Sequence, residues 1–367
     1  MENSEFNFEI VFMNKMVGII LVNYKDYANK YLLACRNSLR AQNYQVDKFK
    51  VYIVDNSSSD SSFSFLVENY PEAKILARHD GNYCAANNLG FVEAIKDGCD
   101  YLIAANMDTE MDPNWLQELV YVLENNSELG IAQSKILLYP QNANEKLHPK
   151  INTLGNRLHF LGFGFTSGYG LPDAVIGGYP EIKGYASGCC FITTPEVFKN
   201  VGGWDENYYM YHDDIEFSLK VRLAGYKIIL APKSIIFHKY EFSRSVRMLY
   251  YMERNRYLLV FSFYPLRVLF LLLPAFIIMG SGLFVFALFK GWLGTWFKTL
   301  AYFFQVSSWR EIKHARLNIK KISKLNFSDL AKDIEGRVDF PEIDNLFLKH
   351  FGNNILDLYW RLVRKII

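Results

Sequence analysis

Three short groups of side chains have the types and spacing for chemistry: Asp55-Asn56 with Asp60, Asn106 and Asp108 around Met107, and Asp213-Asp214 with Glu216. The third follows Gly202-Gly203-Trp204-Asp205-Glu206, and His238 closes an apolar run 24 residues after Asp214. Each has an ordinary explanation on its own. Asp55-Asn56-Ser57 can cap a following helix, Asp108 can be a turn residue before Pro113, Asp213-Asp214 can be a solvated pair, and a histidine at a strand end can be a satisfied surface group. Together they describe a device for a phosphate-bearing ligand. A hard divalent cation such as Mg²⁺ or Mn²⁺ takes carboxylate and amide oxygens and leaves its other positions to phosphate and water. Asp108 and His238, with or without Asn106, can supply the protein side. A nearby carboxylate pair can act as general base, its pKa raised by the neighbouring charge and lowered by the cation.

The elements that must position these groups read as alternating strands and helices. Val17–Asn23, residues 51–54, Lys74–Ala77 and Tyr101–Ala105 are short β-branched or apolar runs of strand character. Helix-like spacing covers 27–42, 62–69, 84–98 and 113–125. The alternation predicts βαβ units and a mostly parallel sheet, with ligands outside the carboxyl ends of the strands. Asn23, Asp55 and Asp108 stand there. From Ile131 the pattern loosens, and 140–180 reads as Gly- and Asn-rich loop. Order returns with 184–194, a helix near 195–201, a short helix at 217–224, and late strands at 227–230 and 234–238. Cys189-Cys190 reads as strand core, and Gly188 as a turn or a point of close acceptor approach.

Half of the 367 residues are apolar and the net charge is +2, which excludes a disordered chain and gives no reason to expect nucleic acid. None of the five cysteines has C-x-x-C spacing, so a reduced compartment is expected. The N-terminus lacks the pattern of a signal peptide. Charge is concentrated: Lys239–Lys324 holds 14 Lys and Arg against 3 Glu, a net +11 that leaves −9 for the remainder. Within that basic third, Val268–Phe289 is uncharged for 22 residues, long enough as a helix to reach about 33 Å across a hydrocarbon core of about 30 Å. Pro274 and Gly280-Ser281-Gly282 also allow an in-plane or re-entrant hairpin. The tryptophans that follow and the basic flanks suit a membrane surface. The amphipathic segment 344–367 suits either a lipid surface or a homodimer.

The chain resembles the family 2 glycosyltransferases of GT-A fold, in their bacterial rhamnosyltransferase-like branch. The resemblance is carried by LVNYK (21–25), IVDNSSSD (53–60), HDGNYCAANNLGF (79–91), NMD (106–108), the stretch 184–232, FH (237–238) and ERNRY (253–257). It implies an α/β nucleotide-sugar domain over 17–240, after an extension at 1–16. A membrane-associated helical region over 241–310 and basic and amphipathic helices over 311–367 complete the expected organisation. Asp55 is implied to contact the nucleotide base, Asn23 to line the same pocket, and Asn82 and Asn88 to pack on ribose and diphosphate. Asn106-Met107-Asp108 stands where the family has its D-x-D metal motif, so Asp108 is the implied metal ligand and His238 its partner. Asp214 is the implied general base, beside Asp213, where the family often has Glu.

The activity implied is inverting transfer of a sugar from a nucleotide-diphosphate donor to a hydroxyl of a glycan or polyprenyl-linked acceptor, at the cytoplasmic membrane face. Arg244 and Arg254 can hold a donor or acceptor diphosphate, or lipid headgroups. A non-catalytic nucleotide-sugar-binding scaffold is the alternative, favoured by Asn106 in place of Asp. A nucleotidyltransferase ranks last, because LVNYKDYANK has no Gly-rich loop.

Overall fold

Strand β1 (Val17–Asn23) is apolar without alternation because both of its faces are covered. Ile20 and Val22 enter one core layer, while Val17, Ile19 and Leu21 enter the other. The computed structural model describes residues 14–241, 248–338 and 352–367. Most of the expected N-terminal extension, Arg244 and the start of the C-terminal amphipathic segment therefore lie outside the described residues.

After β1 come α1 (Tyr27–Arg40), β2 (Phe49–Asp55), α2 (Asp60–Asn69), β3 (Lys74–Ala77), α3 (Tyr83–Lys96) and β4 (Tyr101–Ala105). These match the expected βαβ units within a few residues. Helix α3 closes on β1 at Gly90, where a Cβ would lie 2.6 Å from the Ile20 side chain. Then follow β5 (Thr109–Met111), α4 (Trp115–Glu124), β6 (Leu129–Leu138), α5 (Ala143–Leu147), β7 (Ile151–Thr153), β8 (Asn156–Leu158), β9 (Gly164–Thr166), β10 (Cys190–Thr193), α6 (Pro195–Val201), α7 (Asp213–Leu223) and β11 (Lys227–His238).

Strand order is β3-β2-β1-β4-β10-β6-β11-β5, with β7 on β6. Pairing is parallel from β3 to β4 and between β6 and β11; β10, β5 and β7 run antiparallel to their neighbours. The sheet is thus more mixed than the alternation predicts. Its largest departure from expectation is β6, a buried ten-residue strand where the sequence pattern loosens. The two late strands are one, β11, broken in register between Ala231 and Ile235, where Pro232 cannot donate to the ladder.

The chain continues through α8 (Leu249–Phe263), α9 (Leu266–Lys290), α10 (Leu293–Phe303), α11 (Val306–Ile322), α12 (Phe327–Ala331) and α13 (Asn353–Arg364). Helix α9 runs unbroken for 25 residues through Pro274 and Gly280-Ser281-Gly282, so the hairpin alternative is not what forms. Phe270, Ile278 and Phe289 on it are 77%, 73% and 82% exposed. By length and composition it is one helix apolar enough to cross a membrane, among the described residues.

Candidate active site

Because β1, β2, β4, β6 and β11 all point the same way, their carboxyl ends share one edge of the sheet. Asn23, Asp55, Asn106 and His238 sit on that edge. At its first corner, Asn23 Nδ2 donates to Asp55 Oδ1 at 2.8 Å and Ser62 Oγ donates to Asp55 Oδ2 at 2.6 Å. The Ala28 amide donates to Asn23 Oδ1, which fixes the Asn23 side chain. Both Asn23 and Asp55 are buried. The cap of α2 is not Asp55 but Ser59, in a reciprocal pair with Ser62. Beside this corner a polar cleft opens between Asn23, Lys25, Asp26, Ser57, Ser59 and Phe65.

Between β4 and β5 the chain turns through Asn106-Met107-Asp108. Met107 is buried in the core, and Asn106 and Asp108 flank it. The Asn106 amide donates to the Cys189 carbonyl at 2.8 Å, and its side-chain oxygen accepts from the Tyr83 hydroxyl at 3.0 Å. Asp108 is 2% exposed, with Oδ1 at 3.4 Å from His238 Nε2. Pairing of His238 with Thr109 across β11 and β5 sets this approach. On the far side of the ring, His238 Nδ1 lies 2.8 Å from Asn152 Oδ1. An amide oxygen only accepts, so Nδ1 carries a proton and Nε2 is the ring nitrogen that faces the Asp108 carboxylate. A carboxylate oxygen and an imidazole nitrogen are ligand types that a divalent cation would accept, and these two residues would hold it. Among the described residues no group of three or more His, Cys, Asp or Glu is arranged to hold a metal. An Asp–His pair would suit only a cation that takes its remaining ligands from phosphate and water.

The third group stands at the start of α7. Asp214 Oδ2 accepts from the Gly188 amide at 3.2 Å and Oδ1 from the Ile215 amide at 2.9 Å. A Cβ at Gly188 would lie 3.3 Å from that of Asp214, so the glycine allows the chain to pass this close. Cys189, the next residue, carries the carbonyl bonded by Asn106. Two adjacent residues thus link the Asp108 turn to the Asp214 carboxylate. Burial pushes both carboxyls of the pair up, and the Asp214 charge adds to the rise at Asp213. Glu216 has a buried ion-pair partner, Lys220 at 2.7 Å, and burial pushes it up as well.

Several expected contacts are otherwise engaged. Asn82 caps α3 through the Ala85 amide and donates to the Glu206 carbonyl. Asn88 accepts from the Trp204 amide and donates to the Trp204 carbonyl. Both tie α3 to the 204–206 turn. Arg254 is 8% exposed and donates to the carbonyls of Asn207 and Tyr208, a backbone-holding role. Tyr83, Asn152 and Asn255 belong to the site's framework and were not expected from sequence. Asn152 falls in a stretch without periodicity, while Tyr83 and Asn255 sit beside quoted motif residues.

Comparison with known proteins bears on the family and the fold. Residues 18–176 match the model of glycosyl transferase family 2, and residues 105–312 that of glycosyl transferase family group 2. The O-antigen biosynthesis protein RfbC of Myxococcus xanthus is 28% identical over 235 residues, 61% of this chain and 17% of that protein. An N-acetylglucosaminyl-diphospho-decaprenol L-rhamnosyltransferase of Mycobacterium tuberculosis is 22% identical over 214 residues, 51% of this chain and 66% of that protein. The match thus spans less than two thirds of either relative. A crystal structure of GalNAc-T7 with UDP, GalNAc and Mn²⁺ superposes with a TM-score of 0.53 at 13% identity, over 69% of this chain and 48% of that one, and shares the GT-A fold. By these matches, the chain belongs to glycosyl transferase family 2.

Proposed function

We propose that the protein transfers a sugar from a nucleoside-diphosphate donor to a hydroxyl of a lipid-linked glycan, with inversion, at the cytoplasmic face of a membrane. The observation that carries this reading is the link from Asn106 through Cys189 and Gly188 to Asp214, which sets a candidate base beside the Asp108–His238 pair. The Asn23–Asp55 corner and its cleft suit the nucleoside end of the donor. Asp108 and His238 would hold a divalent cation, Mg²⁺ or Mn²⁺. That cation, when bound, supplies positive charge to the departing diphosphate. Asp214 accepts the proton of the acceptor hydroxyl as its oxygen bonds to the anomeric carbon and the bond to the donor phosphate breaks. One displacement inverts the anomeric centre, and no enzyme nucleophile is required.

Three features support a lipid-linked acceptor. Helix α9 exposes apolar side chains along its length. Helix α13 exposes Ile355, Leu358 and Leu362 beside Arg361 and Arg364, an amphipathic face suited to anionic lipid. Between α8, α9 and α10 runs an apolar groove lined by Leu249, Tyr257, Phe276, Phe284, Trp292 and Trp296, of a shape to take an isoprenoid chain.

The test is a donor screen with purified full-length protein, Mn²⁺ or Mg²⁺ and detergent-solubilised polyprenyl-linked acceptors. Nucleoside diphosphate release that needs both acceptor and cation, with an inverted linkage in the product, is expected. Nucleotide binding without turnover across all donor and acceptor pairs would favour the scaffold reading instead.

A further inference from the structure

The backbone entering Asp213 is strained. Tyr209, Tyr211 and His212 have φ of 66°, 64° and 59°, left-handed values that cost bulky residues on the order of 1–3 kcal/mol each and persist only where the surroundings enforce them. The enforcement comes from α8. Asn255 is fully buried, and its Nδ2 lies 2.8, 2.7 and 2.7 Å from the carbonyl oxygens of Tyr208, Met210 and Tyr211. Two N–H groups thus serve three carbonyls that would otherwise repel one another.

Arg254 fixes the direction of that amide. Its Nε and Nη2 donate to Asn255 Oδ1 at 2.8 and 2.6 Å, which leaves Nδ2 facing the turn. Nη2 also donates to the carbonyls of Asn207 and Tyr208 at 2.7 and 2.8 Å. The guanidinium packs among Tyr250, Tyr251 and Tyr302, 5.2–5.7 Å from each ring centre. Tyr251 in turn stacks on Tyr209 at 4.9 Å. From the opposite side His212 Nε2 bonds the Gly162 carbonyl at 3.1 Å, and the Tyr83 amide donates to the Tyr209 carbonyl at 2.8 Å.

We propose that Arg254 and Asn255 are positioning residues for glycosyl transfer, which hold the strained 208–212 turn so that Asp214 is presented to the acceptor hydroxyl. The proposal rests on the reading of Asp214 as base. Neither residue touches the reacting atoms. The helix that bears them leads through Pro265 directly into α9, so the apolar helix and the catalytic carboxylate are mechanically joined.

The test is a double-mutant cycle in the full-length, detergent-solubilised protein. Asn255→Ala is expected to lower kcat about 100-fold while nucleoside diphosphate Kd stays within twofold. In the Asp214→Asn background the same change is expected to lower kcat less than twofold further, because a residue acting only through Asp214 has nothing left to position. Arg254→Lys, which keeps the charge but loses the fork, carries the same cycle if Asn255→Ala is not recovered folded. Wild-type kcat in Asn255→Ala, or a full penalty retained in the Asp214→Asn background, overturns the proposal alone. Wild-type transfer by Asp214→Asn overturns the general-base reading itself.

Discussion

Two acidic sites on one sheet edge are built on different backbones. Asp55 has each carboxylate oxygen met by a fixed donor, from Asn23 and from Ser62, on unstrained backbone at the end of a regular strand. Asp213 and Asp214 follow three left-handed residues; Asp214 too has an amide on each oxygen, but here two carboxyls stand side by side, with no Lys or Arg ion pair among the described residues. Burial therefore pushes both carboxyls up. A satisfied carboxylate is a recognition element, since its charge and direction are settled before any ligand arrives. A frustrated pair is a reactive one, poised to take a proton. Glu216, three positions from Asp213, has Lys220 at 2.7 Å, and burial still pushes it up, to about 7.

The largest effect should fall on the frustrated pair. Asp214→Asn keeps shape and one accepting oxygen, sets its NH2 against the amide of Gly188 or Ile215, and removes proton acceptance, so kcat should drop about 10²–10⁴-fold. Nucleoside diphosphate Kd, measured by calorimetry, should stay within twofold. A matched fall in affinity would mean that Asp214 binds donor, and the contrast with Asp55 would collapse.

The satisfied site should respond in the other parameter. Asp55→Asn turns one acceptor oxygen into a donor facing Asn23 or Ser62, a mismatch costing about 1–3 kcal/mol. Donor affinity should weaken about tenfold, with kcat at saturating donor within threefold of wild type. Steady-state kinetics over a donor range separate the two, and a kcat loss as large as that of Asp214→Asn would erase the division of labour.

The same contrast explains what was legible in the sequence. Strands β1, β3 and β4 and the Asn23–Asp55 corner lie in the half where local signals agree: apolar runs, a Ser cap, a polar residue at each strand end. Asp108, His238 and Asp214 could be named because motif residues mark them. Strand β6 escaped because its apolar residues are interrupted by Gln133, Ser134 and Lys135, whose side chains are buried by distant partners, Asp173 and Ser234 among them. Asn152 and Asn255 escaped for a related reason. Each acts through one long-range hydrogen-bond set, to His238 or to the 208–211 carbonyls, and no periodicity announces such a bond. The loop-tying bonds of Asn82 and Asn88 were hidden for the same reason, since an asparagine that binds a ligand and one that ties two loops together look alike in sequence.

A smaller effect, on stability, tests the frustration directly. Asp213 is pushed up to about 8, first by burial and then by the Asp214 charge. The folded protein thus holds this proton more tightly than the unfolded chain, whose carboxyl titrates near 4. Stability from that bound proton is complete below the unfolded value and is lost as pH rises through the folded one. Asn cannot ionise and loses nothing over that window. Asp213→Asn should therefore match wild type in Tm near pH 4 and exceed it increasingly toward pH 8, by about 2–4 °C for each kcal/mol relieved. Calorimetric scans from pH 4 to 9 measure the gap. A gap that stays constant across the range would show that Asp213 is no more strained than Asp55, and strain at the pair could not then explain its reactivity.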